Sequence, residues 1–428
     1  MIYFPILVAF VLLFMGVPVG LALLSSALVY FGFITDTLPL TNVVQKMVNS
    51  NMSISLLNIP YFIMLGTVMN YTGITNRLMS WCNSLVGHLE GGLAHVNILL
   101  STVNGGMCGS SGADAAMQCK ILVPEMVKRG YPLNFAAAVT AASGLIAPMI
   151  PPGNLLILYA TMTDMSVARM FMAGYIPGIM MCVAEMCVAG YICHKHHYQS
   201  RSQRAPLPEL LVNTLNASWA ILIMAVLIVG LRLGLFNVTE GAVVIILMCV
   251  IVGLLVYRDI RIQDIPKMFV ESFHSAGNII IMLMGSLMFG YYLTWAHIPH
   301  TIAAAMMTVT SSKYGFMALS MLLMLIMGMF IDGTAMVMIV TPILYPVAQE
   351  YGIPLIQFGI LELINAYIGS LTPPLGGVMY IVCNLTHLSV PEFSKAAWPF
   401  ILVLLLVMLV IALVPGCSLL LPSLVYGG

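Results

Sequence analysis

Ala147-Pro-Met-Ile-Pro-Pro152-Gly-Asn154 and Gly369-Ser-Leu-Thr-Pro-Pro374-Leu-Gly-Gly377 each set a Pro-Pro pair inside an apolar run. Proline lacks a backbone donor and its ring clashes with the carbonyl four residues back. Two adjacent prolines are therefore expected to unwind a helix at that point. The freed carbonyls can coordinate a cation, and the N-terminus of the half-helix that follows attracts an anion. Asn154 and Thr372 add side-chain oxygens at the two breaks. A plain proline kink is the structural alternative.

The surroundings decide that these runs lie in a membrane. Of 428 residues, 61% are hydrophobic and only 7% are charged, where a soluble domain carries roughly 25%. Fifteen basic and 15 acidic residues cannot cover a soluble protein of this size, so most of the surface must face lipid. The formal net charge is zero, which gives no electrostatic case for nucleic acid. A spanning helix needs about 20 apolar residues. Candidate spans are 3–33, 55–72, 133–160, 168–193, 212–231, 240–257, 276–296, 354–385 and 396–421. The first is either one long helix or two short ones turning at Gly16-Val-Pro-Val-Gly20, and the second choice brings the count to about ten. Segments 41–52 and 264–275 are short and mixed, and read as interfacial arms.

Stretches 92–127 and 314–349 differ from the spans. Asn104-Gly-Gly-Met-Cys-Gly-Ser-Ser-Gly-Ala-Asp114 interrupts one and Gly328-Met-Phe-Ile-Asp332-Gly-Thr334 the other. Such segments read as re-entrant hairpins, tolerated at membrane depth only where the tip is buried in protein or lines a wet cavity. Pro124, Gly130, Pro132, Leu133, Pro151 and Pro152 recur 222 residues later as Pro346, Gly352, Pro354, Leu355, Pro373 and Pro374. Residues 1–200 and 201–428 thus read as two repeats, each with scaffold helices, a hairpin and a broken helix. Lys195, Arg201, Arg204, Arg258, Arg261 and Lys267 mark cytoplasmic loops. Propagated along the chain, that bias gives the halves opposite orientation, the arrangement of secondary transporters with sites at the breaks.

Asp114 and Asp332 lie at the hairpin tips. A carboxylate at membrane depth costs at least ~2.5 kcal/mol, so each is a functional candidate, with helix capping as the alternative. Ser110, Ser111 and Thr334 can donate hydrogen bonds to a substrate. Glu185 and Glu362 also fall within spans and read as paired or snorkelling residues. His95, His274, His297 and His300 lie near span ends and read as interfacial.

Gly105–Ala116, Arg129-Gly-Tyr with Phe135–Ala142, Pro148–Pro152, Gly328–Ala335, Thr341-Pro-Ile-Leu and Gly369–Gly376 together resemble the large membrane subunit of tripartite ATP-independent periplasmic (TRAP) transporters. The resemblance covers nearly the whole chain. It implies an all-α polytopic inner-membrane protein of inverted-repeat elevator type, with about ten transmembrane helices and two re-entrant hairpins. A transport domain of hairpins and broken helices would carry a small organic anion and Na+ together, without ATP. A small four-helix membrane subunit would extend the scaffold, and a periplasmic binding protein would deliver the substrate. The resemblance further implies a first Na+ site at Cys108, Ser110, Asp114, Ala147 and Pro152. The second would use Gly328, Gly369, Thr372 and Leu375. Cys108 stands where serine is usual and Ala147 where glycine is usual. Thiol sulfur is a poor ligand for hard Na+, so carbonyls would serve there. Substrate contacts would come from Ser110, Ser111, Asn154, Asp332, Thr334 and Thr372.

Two other classes fit parts of the pattern. Gly109-Ser-Ser-Gly112 matches the GxSG of intramembrane serine proteases, but that chemistry needs a histidine beside the serine. A stand-alone sodium/anion symporter shares the topology and would work without a binding protein.

Overall fold

The computed structural model describes residues 2–35, 41, 43–45, 58–198, 204–374 and 376–427. The regular structure described there is entirely helical. Helices α1 (Phe4–Phe14) and α2 (Val19–Val29) separate at a turn before Pro18, so the first apolar run is two short helices. Then follow α3 (Asn58–Tyr71), α4 (Ile74–Val86), the hairpin arms α5 (Gly92–Cys108) and α6 (Ser111–Lys128), and α7 (Leu133–Ser143). Next come α8 (Asn154–Met162), α9 (Val167–His196), α10 (Leu207–Leu233) and α11 (Val238–Ile251). The second half continues with α12 (Ile265–Trp295), α13 (Ile298–Val309), and the hairpin arms α14 (Lys313–Gly328) and α15 (Gly333–Glu350). It closes with α16 (Leu355–Leu371), α17 (Gly377–Thr386), α18 (Val390–Leu413) and α19 (Gly416–Tyr426).

Elements recur at the 222-residue offset. Helices α6 and α7 open at Ser111 and Leu133, and α15 and α16 open at Gly333 and Leu355. Even the π-helical turns that end two of the helices, Tyr30–Ile34 and Val252–Val256, are equivalent.

Five helices among the described residues are long and apolar enough to cross a membrane alone. Leu133–Met149 and Asn154–Met162 make a sixth if the pair, bent by 45° at the break, is taken as one span. The remaining apolar helices are shorter, because hairpins and breaks divide them. Segment 264–275 differs from its reading as a separate arm. It forms the first turns of the 31-residue α12, since Pro266 sits at the helix start, where its missing N–H costs nothing, and no breaker follows. Most of segment 41–52 lies outside the described residues.

Close backbone approach joins α12 to α2. A Cβ on Gly20 would lie 2.6 Å from the Ile281 carbonyl oxygen, and one on Gly285 would overlap the Gly20 carbonyl. Small residues let membrane helices pack this tightly without a hydrophobic driving force. The first hairpin is fastened to α7 by polar groups instead. Asn97 Nδ2 donates to Thr140 Oγ1 at 2.6 Å, and Ser143 Oγ donates to Asn97 Oδ1 at 2.8 Å, all fully buried. Asn97→Ala removes both bonds and is expected to cost about 2 kcal/mol. Thermal unfolding in detergent reads this as a lower Tm, and an unchanged Tm would mean that the bridge contributes nothing.

The two broken helices also interlock. Tyr159 on α8 donates through its hydroxyl to the Leu355 carbonyl at 3.1 Å, and Tyr367 on α16 donates to the Pro148 carbonyl at 3.2 Å. Hairpins and breaks therefore form one packed core, with α12 lying against it along α15.

Candidate functional site

Each break behaves as the Pro-Pro pairs predict. Helix α7 gives way to a short 3₁₀ turn, Ala147–Met149, and helix resumes only at Asn154. Helix α16 ends at Leu371 and helix resumes at Gly377. The hairpin tips fall beside these breaks.

A cavity of about 360 Å³ opens where the four features meet. Ser110, Ser111, Asn154, Asp332 and Thr334 all line it. Its walls are thus the first turns of α6, α8, α15 and α17, four helix N-termini aimed at one space. A helix N-terminus carries roughly half a positive charge on unpaired N–H groups. No Lys, Arg or His is among the described lining residues. The four ends are not equivalent. Asp332 caps α15, its Oδ2 accepting from the Thr334 N–H at 2.9 Å. The N-caps of the other three, Ser110, Gly153 and Gly376, make no side-chain cap bond. Three ends therefore keep N–H groups for a ligand.

Helix C-termini gather behind the cavity. Gly328 closes α14 against Gly369: a Cβ on Gly369 would lie 2.6 Å from the Gly328 carbonyl carbon. The Thr372 N–H donates to the Gly369 carbonyl at 3.0 Å. At the other break, Gly105 near the end of α5 packs on Ala147, where a Cβ would meet the Ala147 carbonyl oxygen at 2.7 Å. Carbonyl-rich ends carry the negative half of the helix dipole and suit a cation.

The other residues named from the sequence fall in different places. Thr372 is buried outside the cavity lining, its hydroxyl donating to the Ile368 carbonyl at 2.7 Å. Asp114 is fully buried one turn into α6, also outside the lining. Its Oδ2 accepts from Ser101 Oγ at 2.7 Å and from Gln118 Nε2 at 2.6 Å. Pro152 is buried in the first break. Cys108 ends α5, with its side chain outside the description, and Leu375 lies outside the described residues.

One sequence reading is corrected. Glu185 and Glu362 do not snorkel, for both are fully buried. Glu362 accepts from Thr341 Oγ1 at 2.6 Å, while neither carboxyl oxygen of Glu185 has a partner among the described residues. His95 is buried against Gly190. Among the lining residues that sequence reasoning missed are Tyr367, Ser370 and Ile279. The first two sit just before the second break, where their position was a usable signal. Ile279 comes from α12, and no local pattern marks it.

A family model described as "Tripartite ATP-independent periplasmic transporter, DctM component" matches residues 6–417. The sialic acid TRAP transporter large permease protein SiaM of Vibrio cholerae is 32% identical over 416 residues, 97% of each chain. The C4-dicarboxylate TRAP transporter large permease protein DctM of Pseudomonas aeruginosa is 33% identical over 404 residues, covering 94% of this chain and 93% of that one. The crystal structure of the Alcanivorax borkumensis YdaH transporter superposes with a TM-score of 0.65 at 15% identity, covering 93% of this chain and 96% of that one. That likeness concerns the fold alone.

Proposed function

The chain belongs to the DctM component family of tripartite ATP-independent periplasmic transporters, multi-pass bacterial membrane permeases rather than enzymes, and from that premise we propose that it carries one small organic anion inward together with Na+. The observation that carries this reading is the convergence of four helix N-termini on a cavity without cationic side chains among its described lining residues. Such a cavity holds an anion by backbone dipoles. The hydroxyls of Ser110, Ser111 and Thr334 and the amide of Asn154 complete its polar wall. Relatives are named for sialic acid and for C4-dicarboxylates, which fits an organic acid here.

Sodium would sit at the opposite helix ends. Gly328, Gly369, Thr372 and Leu375 would form one site, chiefly through backbone oxygens. Asp114, Ala147 and Pro152 would form the other, with Cys108 and Ser110 at the hairpin tip. Because each break supplies both a C-terminal and an N-terminal end, cation and anion share the same backbone hinge, a direct physical basis for coupling. Thr372→Val removes one oxygen at constant shape. It is expected to raise the half-saturating Na+ concentration roughly three- to tenfold, about 1 kcal/mol of coordination. An unaltered Na+ curve would move the second site elsewhere.

The inverted repeats would work as an elevator. Along α12, the cavity lies at Ile279, and a second cavity of about 510 Å³ lies at Leu287, Tyr291 and Thr294. At the second cavity α12 touches α15, with the Ser286 hydroxyl donating to the Met338 carbonyl and Gly290 against Pro342. Sliding of the hairpin core would carry the first cavity along α12. A small four-helix membrane subunit and a periplasmic binding protein would complete the system.

Proteoliposome uptake tests the whole reading. With the small subunit and binding protein present, an inward Na+ gradient should drive accumulation of an organic acid. Uptake without any binding protein would favour the stand-alone symporter, and uptake indifferent to Na+ would remove the coupling.

A further inference from the structure

A buried acid stands behind the second cavity, the space of about 510 Å³ at the far end of α12. Asp164, Ser286, Thr294, Thr341 and Tyr345 give this cavity polar walls, and no Lys, Arg or His is among its described lining residues. Thr341 belongs to two environments. It lines the cavity, and its Oγ1 donates to Glu362 Oε1 at 2.6 Å. Glu362 sits midway along α16 and is fully buried, and its Oε2 has no partner among the described residues. Tyr159 on α8 is the ionisable side chain that interacts with it, but that hydroxyl is committed to the Leu355 carbonyl. Charged residues on the other helices packed against α16 stand at exposed positions: Lys313 on α14, Glu350 on α15, Arg169 on α9, and Glu392 and Lys395 on α18. Glu185, the buried acid of α9, does not interact with it.

A buried carboxylate without a neighbouring cation costs far more than the neutral acid. The Na+ proposed at Gly369 is seven residues further along α16, roughly 10 Å at the helical rise, and is out of contact with this carboxyl. One hydroxyl cannot replace the hydration shell of a metal cation, whereas a proton needs a single oxygen. We propose that Glu362 is a proton-binding site of the hairpin core, filled and emptied through Thr341 from the second cavity. To unload it, the carboxylic proton passes to Thr341 Oγ1 while the threonine's own proton passes to water in the cavity. A carboxylate, an intact hydroxyl and a hydronium result, and the reverse transfer reloads the site. The charge of the core then changes with occupancy of this site, so proton binding enters the charge balance of each cycle alongside the anion and Na+.

Infrared spectroscopy of the purified full chain reads a protonated carboxyl directly through its C=O stretch, which shifts in D2O. Choline chloride is the salt, because Na+ near Gly369 would favour the ionised form. At neutral pH the unaltered chain is expected to show a protonated carboxyl that Glu362→Gln lacks. That band should fall reversibly as the medium is made alkaline, and should shift on transfer to D2O. Thr341→Val is expected to slow the D2O shift at least about tenfold, the effect of losing one hydrogen bond from the path, and Thr341→Ser should restore the rate. If Glu362→Gln does not fold, Glu362→Asp identifies the band by moving its frequency. Identical spectra of the unaltered chain and these Glu362 variants would overturn the site. A band that neither titrates nor exchanges would overturn it too, since that marks a sealed structural acid. Exchange as fast in Thr341→Val as in the unaltered chain would overturn the route through Thr341.

Discussion

Asp114→Ala is expected to abolish Na+-dependent uptake and to lower stability by about 2–6 kcal/mol, the cost of orphaning two buried donors. Ser101 and Gln118 both aim their donors at Asp114 Oδ2, from opposite arms of the first hairpin. Ser101 lies on α5 and Gln118 one turn further along α6, so this carboxyl closes the hairpin on itself. All three side chains are fully buried. Asp114→Asn keeps one acceptor oxygen and should retain more of the stability than of the Na+ response. Tm in detergent, together with uptake against Na+ concentration, separates the two effects. Uptake with unchanged Na+ dependence in Asp114→Ala would place the first cation site away from this residue.

Gly369→Ala should be nearly as damaging, although it adds one methyl group. The new Cβ would lie 2.6 Å from both the Cα and the carbonyl carbon of Gly328. Backbone cannot swing aside as a flexible side chain can, so α14 and α16 must separate, at about 1–3 kcal/mol. That separation would displace the carbonyls proposed to hold the second Na+. The equivalent residue of the first repeat is Ala147, already carrying a Cβ. Ala147→Gly is accordingly expected to cost only about 0.5–1 kcal/mol of backbone freedom and to keep transport. Equal tolerance of both exchanges would mean that the Gly328–Gly369 contact has no role.

Much of this architecture was readable from residue order because backbone chemistry dictates it. Pro151-Pro152 and Pro373-Pro374 had to break their helices. The runs around Gly109 and Asp332 had to leave helical conformation at depth. Those four events bring Ser110, Ser111, Asn154, Asp332 and Thr334 to one cavity. What stayed hidden depends on packing between distant elements. Ile279 reaches the cavity only because α12 lies along the hairpin core. The continuity of α12 was obscured by Lys267, Glu271 and His274, whose polarity suggested an arm although nothing there stops a helix. The hold on Asp114 was half legible, since Gln118 stands at i+4, whereas Ser101 comes from the facing arm. Thr372 was assigned to substrate by type and position, yet its hydroxyl turns back to the Ile368 carbonyl. Burial of Glu185 gave no sequence signal, because a glutamate near a span's end and one sealed inside a bundle look alike in hydropathy.

Thermal unfolding of the purified chain in NaCl, KCl and choline chloride at matched ionic strength tests whether the chain itself holds Na+. A ligand that binds only the folded state raises stability with its concentration. A saturable rise specific to Na+ is expected, weakened by Thr372→Val and lost in Asp114→Ala. Equal stability in the three salts would contradict sodium sites built from this chain's own hairpins and breaks.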